Sequence, residues 1–428
     1  MRNVLIVLCT VMLIRSVWAQ DPHFQDSLTL ARATEIALRY HPSIRAAEAA
    51  LRSASAGLTG AKSTYYPQIS ATASATRTDG AFVFNPDFPP RNQTYNNYLS
   101  GLAVNQMLFD FGRTINRVSA NSDLTRAAEQ DYYVARETSV QNVQVLYYGL
   151  VQAADIVHVN EEAVARAEQH LKQAQAFYSV GRKAQFDVTK SDVDLANARV
   201  GLLTARNQES LARLQLENAM GVRAKRPYRL TDSLAIPPFD LPLDTVQSRT
   251  LQHRPDLLAA QARVEASREF ASAAWDQNLP TLSASGTWNW SAFDFPLFPR
   301  ATYGVTLSLP IFQGFSVSAQ AEQASAVAAQ AEATYDIMLQ SVRNEAEQNY
   351  LGLTQARERI NASQKLAEQA GQNLTLAERQ YAAGVSSLLD VTDAQLTLSN
   401  ARIIGILALF DYNTSLIRLR RSMGALTK

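Results

Sequence analysis

Tyr178-Ser179-Val180-Gly181-Arg182-Lys183-Ala184-Gln185-Phe186-Asp187-Val188-Thr189 and Tyr381-Ala382-Ala383-Gly384-Val385-Ser386-Ser387-Leu388-Leu389-Asp390-Val391-Thr392 stand 203 residues apart. In each, a tyrosine sits three residues before a glycine, and Asp-Val-Thr begins six residues after it. The same offset relates Phe109 to Phe312, Tyr132 to Tyr335, Tyr147 to Tyr350 and Gly149 to Gly352. It also relates Asn197-Ala198-Arg199 to Asn400-Ala401-Arg402 and Met220-Gly221 to Met423-Gly424. Register kept over such a length means an internal duplication, which governs any reading of the fold. Upstream the offset is 213, relating Pro42 to Pro255 and Pro67 to Pro280. The ten-residue change falls between Pro67 and Phe109, so the first copy is expected to carry a longer loop at about 78–95.

Outward from the glycines lie two proline-free stretches, 91–226 and 311–428, rich in Ala, Gln, Glu, Leu and Arg. Proline inside a helix costs ~3 kcal/mol, so such stretches predict long helices. A helix over 114–178 would be roughly 100 Å long at ~1.5 Å per residue. That length demands lateral packing as coiled coil. A soluble helical bundle or filament satisfies this much of the pattern.

Short segments after Pro67 and Pro280 change period. Ile69, Ala71, Ala73 and Ala75 alternate with Ser70, Thr72, Ser74 and Thr76. Leu282, Ala284, Gly286, Trp288 and Trp290 alternate with Ser283, Ser285, Thr287 and Asn289. Period-two alternation predicts strands with one apolar and one polar face, and return strands are expected at about 98–106 and 303–309. Each is about the length of a tilted membrane-spanning strand. A soluble hairpin with one face on a core shows the same alternation. Aromatic residues near the loops (Phe82, Phe84, Phe88, Phe293, Phe295, Phe298) and the two tryptophans suit either a membrane girdle or ordinary loop anchors. If the chain crosses a membrane it must do so with strands, because no apolar run reaches 18 residues. Four strands cannot close a barrel, whereas several copies together can.

The 428 residues carry 40 Lys+Arg against 39 Asp+Glu, a net charge of +1, and 46% apolar side chains. Nothing resembles the basic stripe of a nucleic-acid binder. Residues 1–19 read as a cleaved signal peptide, with Arg2, an apolar middle and Val17-Trp18-Ala19. They contain Cys9, the only cysteine, inside the apolar part, so neither a lipid anchor nor a disulfide is expected of the mature chain. The five histidines are scattered, and no phosphate loop or nucleophile motif occurs. No enzyme chemistry, metal or cofactor is expected.

The expected organisation is a first repeat at 20–225, with a hairpin at about 68–108 and a turn near 181. A proline-rich linker follows at 226–243. The second repeat spans 244–428, with a hairpin at about 281–310 and a turn near 384.

The ordered set of phrases resembles the TolC-type outer-membrane efflux proteins. They are Pro42 and Arg254-Pro255-Asp256, Leu108-Phe109-Asp110-Phe111-Gly112-Arg113 and Leu309-Pro310-Ile311-Phe312-Gln313-Gly314, and the two glycine turns. The resemblance covers about residues 28–424. It implies a mainly α protomer with two β-hairpins, three copies of which form a twelve-stranded barrel in outer-membrane lipid continuous with a periplasmic α-helical barrel. It further implies a passive exit duct for efflux or type I secretion, which is not an enzyme, with a periplasmic adaptor (membrane fusion protein) and an inner-membrane transporter as partners. A periplasmic coiled-coil adaptor and a trimeric surface-anchored structural protein are the alternatives.

Site residues follow from the same resemblance. Val180, Gly181, Gly384 and Val385 map to adaptor-docking tips, although a helix C-cap alone accounts for glycine there. Asp390 and Asp393 map to carboxylate rings at the pore entrance, although the helix dipole also favours acids in a first turn. A closed-state latch maps its acid to Asp187 and its tyrosine to Tyr381. Its arginine position holds Ser386, so other contacts must serve, with Arg182 and Lys183 as nearby substitutes.

Overall fold

The computed structural model describes residues 27–82, 91–222 and 228–426. The leader, Cys9, Phe84 and Phe88 lie outside them. The chain runs β1 (Ser27–Leu28), α1 (Leu30–Tyr40), α2 (Pro42–Lys62), β2 (Gln68–Phe82), β3 (Arg91–Phe109), α3 (Arg113–Ser179) and α4 (Gln185–Ala219). Then β4 (Arg229–Leu230) leads to α5 (Leu243–His253), α6 (Pro255–Trp275), β5 (Thr281–Ala292), β6 (Phe298–Ser308), α7 (Ser316–Ala383) and α8 (Leu388–Ser422). From α1 to α4 and from α5 to α8 the order of elements is the same.

Pro42 and Pro255 each open a second helix directly after a first. A residue before proline is driven to extended backbone, and His41 (ψ 129°) and Arg254 (ψ 119°) comply. The long helices have 67 and 68 residues, about 100 Å each at ~1.5 Å per residue. α3 pairs with α4 and α7 with α8, while α3 also packs on α8 and α6.

The hairpins form one antiparallel sheet in the order β2-β3-β5-β6. Its register stacks like with like, because partners directly opposite share a face. Ala71, Leu102, Trp288 and Ala301 form one cross-sheet row, and Ile69, Val104, Gly286 and Tyr303 the next. Thr72, Gly101, Asn289 and Arg300 form a row on the other face. Trp288 and Trp290 stack with centroids 5.8 Å apart. The longer first copy departs from expectation. Most of its extra residues lengthen strands, since Thr78 pairs with Tyr95 and pairing continues to Phe82 and Arg91. The polar residues Thr78, Asp79 and Asn92 resemble loop composition, yet the ladder satisfies their backbone groups.

Two core clusters lie midway along the helices and repeat the 203 offset. Val143, Leu150, Leu216 and Met220 anchor the first, and Ala346, Leu353, Leu419 and Met423 the second. The two-residue strands β1 and β4 pair in parallel, an element not anticipated from sequence. Asp232 Oδ2 secures them, accepting from Leu30 N at 2.6 Å and from Tyr147 Oη at 3.0 Å.

Candidate functional site: the helical tips

Each long helix ends in the same hydrogen-bonded reversal. The Gly181 amide donates to Tyr178 O (2.9 Å) and the Arg182 amide to Phe177 O (2.9 Å). Across the offset, Gly384 donates to Tyr381 O and Val385 to Gln380 O, both at 3.0 Å. This double closure requires a left-handed residue, which glycine adopts without a steric penalty. Gly181 has φ 71° and Gly384 φ 81°. Val180 and Val385 flank the glycines and are exposed.

The tips share a backbone but differ in environment. Tyr178 is 47% exposed, whereas its counterpart Tyr381 is 2% exposed. Tyr381 belongs to a third cluster with Leu374, Ala377, Leu388, Val391 and Ala394, against which Phe177 of α3 packs. The Phe177 and Tyr381 rings meet edge to face at 6.1 Å. Phe177 therefore ties the first coiled coil to the second.

Among the described residues of one chain, no hydrogen bond joins Asp187, Tyr381 and Ser386. The Tyr381 hydroxyl is buried without a hydrogen-bond partner among the described residues. Burial, with Asp187 nearby, raises its pKa. Ser386 Oγ donates to Ser387 O at 3.3 Å. The two basic residues beside the first tip are used differently from a latch arginine. Lys183 Nζ lies 4.6 Å from the centroid of the Tyr381 ring, and the Arg182 guanidinium lies 5.8 Å from that of Phe177. These are cation–π contacts, which need no carboxylate.

Asp390 is the N3 residue of a capping box. Its Oδ2 accepts from Ser387 N and Ser387 Oγ (both 2.9 Å), and its own amide donates to Ser387 Oγ (3.3 Å). Those bonds favour the carboxylate, so the backbone and side chain of Ser387 hold its pKa below the ordinary value. The motif Ser-x-x-Asp was readable as a cap. Asp393, one turn on, is exposed and lines a groove between α3, α4 and α8.

Further from the tips, α3 and α8 are joined by polar contacts. Glu162 pairs with Arg402, and Arg166 also reaches Glu162 (3.7 Å). Arg421 donates to Gln141 Oε1 at 2.7 Å. Sequence reading missed this seam, because Glu162 and Arg402 are 240 residues apart. Among the described residues no helix is long and apolar enough to cross a membrane.

The family model described as outer membrane efflux protein matches residues 33–222 and 246–425. The chain belongs to the outer membrane efflux protein family. Its relatives in this family include the outer membrane efflux protein BepC of Brucella suis, 24% identical over 94% of this chain and 86% of that protein. The outer membrane protein TolC of Escherichia coli is 23% identical over 91% of this chain and 80% of its own length. Among solved structures, the CmeC outer membrane channel of Campylobacter jejuni superposes with a TM-score of 0.84 at 19% identity, covering 92% of this chain and 85% of that one. CusC gives 0.83 at 20% identity, covering 92% of each chain. The family's fold is thus present along nearly the whole described chain, hairpins and tips included.

Proposed function

We propose that this efflux-family chain is the outer-membrane exit duct of a tripartite efflux or type I secretion system, built from three copies. One observation carries the reading: the chain is an incomplete tube. Its sheet ends in two unpaired edges, β2 and β6, which lipid does not tolerate. The apolar rows, including Leu102, Trp288, Tyr303 and Val305, stand exposed, with nothing among the described residues to cover them. β2 and β6 run in opposite directions, so β6 of one copy pairs antiparallel with β2 of the next. Three copies make twelve strands, enough to close a barrel.

The helices support the same assembly. Under the duplication α3 corresponds to α7 and α4 to α8. α8 packs on α3 within the chain, so α4 packs on α7 of a neighbouring copy. Both faces await cover. α4 exposes Phe186, Val193 and Val200 seven residues apart, and α7 exposes Ile337, Leu351 and Leu366. A head-to-tail contact of this kind generates a ring when its rotation closes.

In this assembly Val180, Gly181, Gly384 and Val385 point away from the membrane as docking tips for a periplasmic adaptor, which links the duct to an inner-membrane transporter. Asp390 and Asp393 each contribute one carboxylate per copy at the entrance. Cargo moves passively, with its driving force supplied by the transporter.

Extraction of the mature protein from outer membranes in detergent, followed by mass measurement and electron-microscope projections, tests the proposal. A trimer seen as a hollow cylinder is expected. A soluble monomer or a solid rod overturns the duct.

A further inference from the structure

The two repeats differ where β3 turns into α3. α2 carries Gly57 and Gly60 where α6, across the 213 offset, carries Phe270 and Ala273. α3 begins with Arg113 and Arg117 where α7, across the 203 offset, has Ser316 and Gln320. The fold brings both changes together. Gly57, Gly60, Arg113 and Arg117 line one cavity of about 560 Å³ between α2, α3 and α6. A Cβ on Gly60 would meet nothing within 4 Å, and one on Gly57 only Asn121 Oδ1 at 3.8 Å. The small wall of α2 leaves the space open.

Both guanidinia line this space with their donors unspent. Arg113 Nε lies 4.0 Å from Asp110 Oδ2, too far for a hydrogen bond. Neither guanidinium donates to an acceptor among the described residues, and neither does the Thr64 hydroxyl in the same lining. These donors are within reach of a ligand, since the Arg113 side chain is 23% exposed and Arg117 is exposed. Asp110, the acid of the lining, is already engaged. Its Oδ2 accepts from the Thr114 amide at 2.9 Å and from the Thr114 hydroxyl at 2.5 Å.

Two cations against one engaged carboxylate leave the wall positive and rich in donors. Such a wall recognises an oxyanion, because a guanidinium fork donates to two oxygens at once. Arg113 and Arg117 stand one helical turn apart on the same face of α3, so both can grip one anion. The sheet indicates where that anion comes from. Met107, which also lines the cavity, sits in a cross-sheet row with Ser283 and Thr306, on the polar face. The cavity is thus built against the polar face and not against the apolar rows.

We infer that this cavity binds a soluble phosphate-type oxyanion, one per chain. Arg113 and Arg117 donate to its oxygens, and the Thr64 hydroxyl adds a third donor. Only the assignment of the polar face to water rests on the duct reading. Binding itself is measurable whether or not the protein conducts cargo.

The test is isothermal titration calorimetry of the detergent-solubilised protein with inorganic pyrophosphate at constant ionic strength. One saturable site per chain is expected. Arg113→Ser and Arg117→Gln each install the residue that the second repeat holds at the equivalent place. Each should weaken pyrophosphate by about tenfold or more, as loss of a hydrogen bond to a charged group does. Gly60→Leu keeps both cations but fills the space, and should weaken it as much. Absence of saturable binding overturns the inference. So does unchanged affinity in Gly60→Leu, which would mean that exposed arginines merely attract anions. Displacement of pyrophosphate by an equal concentration of phosphatidylglycerol in mixed micelles would make a lipid headgroup the occupant and overturn the soluble one.

Discussion

Lys183 Nζ rests 4.6 Å from the centre of the Tyr381 ring, joining the turn of the first coiled coil to the core of the second. Phe177 meets the same ring from α3. Together they hold the two tips of one chain against each other. Phe177→Ala should therefore loosen the tips, costing about 1–2 kcal/mol for a partly buried aromatic packed against a cluster. In planar-bilayer recordings it should raise the open fraction. Tyr381→Phe should do neither, because the hydroxyl it removes has no partner. A more open Tyr381→Phe variant would mean that the hydroxyl, and not the ring, holds the tip.

The sheet offers a face-specific test. Leu102 sits in the apolar row and Thr72 in the polar row. Leu102→Arg should cost about 2–4 kcal/mol if its row faces lipid near the bilayer midplane, while Thr72→Arg should be tolerated. Yield of folded protein in outer-membrane fractions distinguishes them. The reverse ranking would mean that the sheet is inside out relative to the proposal.

The seam between copies should be electrostatically poorer than the seam within a chain. Glu162 and Arg402 pair inside the chain, and their equivalents across the duplication are Lys365 and Arg199. In the proposed assembly Lys365 meets Arg199 where α4 contacts the neighbouring α7, although Arg199 already pairs with Glu168 at 2.9 Å. Lys365→Glu should accordingly strengthen the assembly only slightly, by roughly a few tenths of a kcal/mol per exposed seam. Paired cysteines at 199 and 365 should yield covalent trimers on a denaturing gel.

Glu137 provides a stability-versus-pH test. It is buried in α3, and desolvation raises its pKa to about 7 despite an amide from Leu426 and the nearby Arg421. Its folded pKa lies above the unfolded value, so the folded state binds the extra proton. The contribution is full below pH about 4.5 and is lost as pH rises through about 7. Glu137→Gln should flatten this decline, worth a few kcal/mol at most. Melting temperatures of wild type and variant across that interval measure it.

Much of the architecture could be read from spacing. The 203 offset, the proline-free stretches and the alternation after Pro67 and Pro280 each report a local periodicity, which survives in any tertiary context. What escaped reading depends on which segment lands beside which. Tyr178 and Tyr381 are equivalent in sequence, but only one has a phenylalanine and a lysine from another tip laid over it. The pairing of Ser27–Leu28 with Arg229–Leu230 rests on Asp232 and Tyr147, and two residues carry no period. At 78–95 composition misled, because polar residues in a hairpin beyond the apolar rows look like a loop. The Ser387-x-x-Asp390 spacing marks a capping box that the sequence reading passed over for the helix dipole, and it gives Asp390 a local structural role beside any role at an entrance.

The even strand count of the sheet has a geometric corollary. Each chain enters and leaves the sheet with its edges opposed in direction, so copies join by one repeated antiparallel ladder whatever their number. Strand pairing is consequently indifferent to stoichiometry. The number of copies has to be dictated from below, by the angle at which one pair of long helices leans on the next, and the barrel inherits its circumference from the coiled coils.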